Sequence, residues 1–142
     1  MPKIIHAADF HLDSAFAGLE PEKARSRRGE LRELPDRLAD LALAERAELV
    51  LLSGDLFDSE RVYPETVEAL RHALERMACP VFIAPGNHDP CTARSPYRTE
   101  KWPDNVHIFQ DTALTEKALP PLNCVVHGAA FSSAERTDQV LE

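Results

Sequence analysis

Three apolar runs in this chain each stop at a small set of side chains able to bind metal or move protons. No other feature limits the fold so strongly. Lys3 to Ala8 ends at Asp9-Phe10-His11, and Leu49 to Ser53 runs into Gly54-Asp55-Leu56-Phe57-Asp58. Val81 to Ala84 leads into Pro85-Gly86-Asn87-His88-Asp89-Pro90. Each run has the length and composition of a buried strand, and the second is apolar on both faces, as a buried parallel strand is. Gly and Pro after the third run turn the backbone outward. Helical stretches separate the runs, so the order is β-α-β-α-β, an α/β fold with a parallel sheet and right-handed crossovers. Parallel strands share their carboxyl edge, where open α/β sheets place their ligands. The three polar sets therefore converge.

The first connection is a loop from Leu12 to Leu19, hinged at Gly18, then a charged helical region from about Glu22 to Ala47. Leu31, Leu34, Leu38 and Leu41 recur at spacings of three and four, which predicts one buried stripe. Pro35 interrupts it, predicting a kink or two consecutive helices. Lys23, Arg25, Arg27 and Arg28 precede the stripe; with acidic residues interleaved, they read as a solvated face rather than a phosphate-contacting patch. Pro64 suits the first turn of a second helix, with Val67, Leu70, Leu74 and Met77 facing the core and His72 facing solvent without a role. Cys91 to Asp104 is a loop punctuated by proline. Short strands are expected at Val106–Phe109, Ala113–Lys117 and Cys124–Ala130, and Ser132 to Glu142 as a polar tail or the start of a helix.

A net charge of −8, from 24 acidic against 16 basic residues, argues against attachment to nucleic acid through bulk charge. It does not exclude an enzyme whose bound cations meet phosphate locally. Cys79, Cys91 and Cys124 are odd in number and form no CxxC pair, which points to a reducing, cytoplasmic setting. Cys91 is read as a free thiol rather than a ligand. The first apolar run is too short for a signal peptide, and no stretch is long and apolar enough to span a membrane.

Carboxylate, imidazole and amide oxygen without thiolate suit Mn²⁺, Fe²⁺ or Zn²⁺. Asp55 lies between the other two ligand sets and could bridge two cations, which together can clamp both oxygens of a phosphoryl displacement. Carboxylates crowded there without cations would repel one another. The basic and aromatic loop holding Arg94, Tyr97, Arg98, Lys101 and Trp102 has two readings. It binds a nucleic-acid substrate beside the metals, or Tyr97 and Trp102 cover the edge of the core.

The three motifs resemble the first three of the calcineurin-like metallophosphoesterases. The form Gly54-Asp55-Leu56-Phe57-Asp58, with His6 in the first strand, is more similar to the SbcD/Mre-type DNA repair exonuclease branch. His11-Leu12-Asp13-Ser14 and the stretch from Ser95 to Val106 resemble its YhaO-like bacterial members. The resemblance covers residues 3 to 131. It implies a β-sheet sandwich flanked by helices and two divalent metal ions, Mn²⁺ foremost. Asp9 and His11 would hold the first metal, Asp55 would bridge, and Asn87 would hold the second. His88 would act on the scissile phosphate or protonate the leaving oxygen, oriented by Asp58 or Asp89. The implied substrate is DNA or another phosphodiester. A phosphomonoesterase, a cyclic-nucleotide phosphodiesterase and a fragment acting by association alone stand as alternatives. An ATPase partner subunit is a further implication of the resemblance, and a homodimer goes with the fragment reading.

The sequence departs from the family in its later motifs. Beyond Asp89 the only histidines are His107 and His127, read as strand residues, and no Gly-His-x-His segment follows. The second metal site is therefore expected to be incomplete. Residues 1–142 are read as a single, truncated domain, the N-terminal part of a longer enzyme.

Overall fold

The computed structural model describes residues 1–137 and residue 140. The three apolar runs become β1 (Ile4–Ala7), β2 (Leu49–Leu52) and β3 (Val81–Ile83), and a fourth strand, β4 (Val106–Ile108), joins them. All pair in parallel in the order β1-β2-β3-β4, with Ile4 opposite Leu49, Val50 opposite Val81 and Val81 opposite Val106. The sheet is the parallel α/β sheet that the alternation of elements predicted.

Pro35 does divide the first helical region: α1 spans Pro21–Arg32 and α2 spans Leu34–Glu45. The predicted leucine stripe is met in part: Leu31 and Leu38 pack against the main core, but the face of α2 that is most buried is a neighbouring one. The fully buried residues of α2 are Pro35, Ala39 and Ala42, while Leu41 is 48% exposed. Small side chains on that face let α2 lie close to α3 (Pro64–Arg76). On α3, Val67, Leu70, Leu74 and Met77 are buried and His72 is exposed, as its periodicity predicted. These residues pack with Val50, Leu52, Val81 and Ile83 into the main core on the helical face of the sheet.

The other face carries a separate antiparallel hairpin, β5 (Thr115–Leu119) and β6 (Cys124–Gly128). Leu119, Leu122 and Val126 close over Leu49, Phe82 and Phe109 in a second, smaller core. The helices and the hairpin thus enclose the sheet as layers. β5 starts two residues later than Ala113, because Asp111 to Leu114 is exposed and forms the turn. The loop after β3 contains a single helical turn, α4 (Pro96–Thr99), started by the Ser95 hydroxyl, which accepts from the Tyr97 N–H. The segment Ser132 to Thr137 is irregular; 138, 139, 141 and 142, where the tail was expected to continue, lie outside the described residues. No helix among the described residues is long and apolar enough to cross a membrane. All three cysteines are free thiols.

Candidate metal centre

The loops after β1 and β2 continue to pair beyond the ends of their strands. The N–H groups of Asp9, His11 and Leu12 donate to the carbonyls of Gly54, Asp55 and Leu56, at 3.1, 3.0 and 2.8 Å. Within these loops Asp9, His11, Asp13 and Asp55 have φ of 58°, 47°, 65° and 53°, and Gly54 has 83°. Left-handed non-glycine residues cost of order 1 kcal/mol or more each and persist where their surroundings over-determine them. Here the extended pairing holds them. The result is two tightly curled loops, with ligand atoms of Asp9, His11 and Asp55 within 4.8 Å of one another.

A second grouping, His11, Asp58 and His88, shares one residue with the first. Hydrogen bonding distinguishes the two. His11 Nδ1 lies 3.0 Å from Asp58 Oδ1, and its Nε2 lies 3.9 Å from Asp9 Oδ1. A carboxylate only accepts, so Nδ1 carries the proton and the Nε2 lone pair is left for a ligand. This carboxylate–histidine pairing is the usual arrangement behind a metal-binding imidazole. Ligand atoms each about 2 Å from a cation are at most about 4 Å apart, so the Nε2–Oδ1 separation fits a shared ion.

The third loop closes on the second through Asp55 and Asp89. Asp55 Oδ1 accepts from the His88 N–H at 2.9 Å. Gly86 makes this approach possible, since a Cβ there would lie 2.3 Å from Asp55 Oδ1 and 2.7 Å from Asp55 N. Asp89, 3% exposed, turns inward. Its Oδ1 accepts from Asp55 N and Gly86 N at 2.9 and 2.8 Å, and its Oδ2 from Leu56 N and Phe57 N at 2.9 and 3.3 Å. The Tyr97 hydroxyl donates to the same Oδ2. Burial pushes the Asp89 pKa up, against the lowering effect of these hydrogen bonds. Burial, and then the Asp89 charge, push the Tyr97 phenol well above its ordinary value.

Two expectations about roles change. The carboxylates of Asp58 and Asp89 do not orient His88: the first is bonded to His11, and the second is buried among backbone N–H groups. Instead the Asp58 carbonyl lies 3.2 Å from His88 Nδ1, and a carbonyl can only accept. Tyr97 is the other, and of its two readings the structure supports cover for the core, not substrate binding. Its ring is 2% exposed and packs against Phe57 and Trp102, so no face is left to stack a base. Trp102 is half-buried with its N–H on the Pro96 carbonyl, and Arg98 donates to the carbonyls of Cys91 and Gln110. Arg94 and Lys101 are exposed, as is Asn87 on the loop between Gly86 and His88.

Sequence reasoning assigned no role to Asp13. Its side chain is 2% exposed and accepts from the Tyr63 N–H at 2.8 Å and the Thr66 hydroxyl at 2.6 Å, with Arg32 at 3.4 Å. It thus ties the ligand loop to α1 and to the start of α3. Its spacing from His11 was the available signal. The other four histidines lie outside both groupings: His107 packs between Phe82 and Phe109, and His127 is exposed on β6 near Glu116.

The sequence profile of the calcineurin-like phosphoesterase family matches residues 2–141. An uncharacterized metallophosphoesterase, YhaO of Bacillus subtilis, is 35% identical over 122 residues, covering 81% of this chain and 29% of that protein. The DNA double-strand break repair protein Mre11 of Aeropyrum pernix is 36% identical over 98 residues, covering 66% of this chain and 22% of its own length. A probable cyclic nucleotide phosphodiesterase of Coxiella burnetii is 27% identical over 112 residues, 75% of this chain and 41% of that protein. The chain thus spans well under half the length of each of these relatives.

Proposed function

Because the chain belongs to the calcineurin-like phosphoesterase family, we propose that its carboxyl edge is part of a metal centre hydrolysing phosphodiesters, with DNA as the substrate. The observation that carries this reading is the convergence of Asp9, His11 and Asp55, with Asp58 holding His11 by its far nitrogen. The nitrogen and oxygen donors fit a borderline or hard divalent cation, Mn²⁺ foremost, and no thiolate competes. When bound, such cations supply Lewis-acid polarisation of phosphate and lower the pKa of water. Asp9, His11 and Asp55 would hold the first ion, and Asp55 with Asn87 would hold a second. Because the other four histidines lie outside the groupings, the second ion would be held weakly by this chain.

The roles of the chain's own groups follow from the hydrogen bonds. Asp58 fixes the His11 tautomer. The Asp58 carbonyl holds a proton on His88 Nδ1, so Nε2 is the nitrogen left to exchange a proton with substrate, and it gives one to a leaving oxygen only when the ring is the doubly protonated imidazolium. Asp89 and Tyr97 keep the loops in register without touching substrate. The similarity to Mre11, named as a DNA repair protein, supports DNA as the substrate. The similarity to a probable cyclic nucleotide phosphodiesterase supports a second reading, a small phosphodiester on the same centre.

Parallel assays with Mn²⁺ on single-stranded DNA, a cyclic nucleotide, a chromogenic phosphodiester and a phosphomonoester separate these readings. Hydrolysis of DNA and the chromogenic diester is expected. Hydrolysis of the cyclic nucleotide alone would favour the second reading, and hydrolysis of the monoester alone would reject both.

A further inference from the structure

A groove of about 650 Å³ opens beside the centre. Its wall begins at Ser59, the residue after Asp58, and at Asp13, two residues after His11, and includes Arg28, Arg61 and Tyr63. A second hollow of about 440 Å³ shares Arg28 and Tyr63 and continues to Arg25 and Arg32. Together they form a path from the ligand loops along α1. Arg32 is committed to Thr66 and Asp13, with its guanidinium carbon 6.0 Å from the Tyr63 ring centroid. Among the described residues, the other three guanidinium groups have no carboxylate partner, and Arg28 donates only to the Ala15 carbonyl. Glu60 and Glu65 also reach the walls, so arginines still outnumber free carboxylates there, on a chain whose net charge is −8.

Tyr63 is 51% exposed, yet its backbone is fixed from both sides. Its N–H donates to the buried Asp13 carboxylate, and Pro64 behind it restricts its φ and ψ. A half-exposed ring on a fixed backbone, flanked by planar cations, is the combination that binds single strands: bases stack on the ring and guanidinium groups fork onto phosphates. A duplex keeps its base faces stacked inside and could use only the charges.

We propose that this groove seats a single-stranded nucleic-acid segment leading into the metal centre, with Arg28 and Arg61 on phosphates and one base on Tyr63. The proposal rests on the phosphodiesterase reading for its purpose but can be tested without turnover. The basic cluster on α1 is then a binding face in part, with Arg25 and Arg28 on the path.

Fluorescence anisotropy of a labelled oligothymidylate with the 142-residue chain in metal-free buffer measures the binding alone. Tyr63→Leu is expected to weaken binding about fivefold or more, the low end for loss of one stacked base. Arg61→Ala is expected to weaken binding and to reduce the slope of log affinity against log salt by about 0.7. Arg37→Ala, which removes the same charge from the Glu33 ion pair elsewhere on the helices, should change neither. No binding by the parent chain, groove variants no weaker than Arg37→Ala, or a duplex bound as tightly as the single strand would each overturn the proposal. Failure to hydrolyse any diester would reject the catalytic reading instead, since the anisotropy result does not depend on it.

Discussion

Replacing Asp89 by Asn tests whether one buried carboxylate holds the second and third ligand loops together. Both oxygens are in use: Oδ1 faces the N–H groups of Asp55 and Gly86, and Oδ2 faces those of Leu56 and Phe57 and the Tyr97 hydroxyl. Whichever oxygen becomes an NH₂ then points at two or more donors. A buried donor left without an acceptor costs about 1–3 kcal/mol, so two cost roughly 2–6 kcal/mol. Removing the buried charge recovers part of this, because burial already disfavours the ionised form of Asp89. The net loss expected is therefore in the lower half of that range, about 2–3 kcal/mol, a large share of the 5–15 kcal/mol typical of a domain. Tyr97→Phe removes one donor and leaves four, and should cost only about 1 kcal/mol. Urea denaturation followed by circular dichroism measures both. If Asp89→Asn were within about 0.5 kcal/mol of the parent, the usual range of a surface substitution, the carboxylate would not be the pin described here.

Other parts of the account are exposed to similar tests. Gly86→Ala forces a Cβ to 2.7 Å from the Asp55 backbone nitrogen, which cannot swing aside; Mn²⁺ affinity by calorimetry should fall about 10-fold or more, as for loss of supporting contacts behind a metal ligand. Leu70→Ala, at a fully buried position, should cost about 2–5 kcal/mol by thermal denaturation, whereas Leu41→Ala, at a half-exposed one, should stay within about 0.5 kcal/mol. His107 has its pKa lowered, chiefly by burial and then by Lys117. The unfolded chain therefore binds this proton first, and the stability that His107 contributes above its unfolded pKa of about 6.5 is lost as pH falls through the lower folded value. His107→Gln should flatten the pH dependence of the urea midpoint below about pH 6.5, and an unchanged slope would refute the assignment.

The parts of the fold legible in the sequence are those governed by short-range rules. Apolar runs ending at Asp9, Asp55 and Asn87 defined three strands, and the proline at position 35 divided a helix. Leu41 was misplaced because the buried face of α2 is made by Pro35, Ala39 and Ala42, small residues that a stripe of leucines overlooks. Tyr97 shows a different limit. An aromatic residue in a polar, proline-rich loop reads equally as a surface for bases or as cover for the core, and only the fold reveals the buried carboxylate that its hydroxyl meets. The same carboxylate, adjacent to His88 in sequence, was expected to orient that imidazole, yet its four backbone donors come mainly from a loop more than thirty residues earlier. Asp13 was only hinted at by its spacing from His11, since its role depends on α1 and α3 meeting beside the ligand loops.

The central claim is that Asp9, His11 and Asp55 form a cation site at the carboxyl edge of the sheet. Titration of Mn²⁺ into the chain by calorimetry, beside Asp55→Ala, tests it most directly. The account predicts saturable binding by the parent chain and at least about 10-fold weaker binding by the variant. No binding by either chain, or equal binding by both, would contradict it.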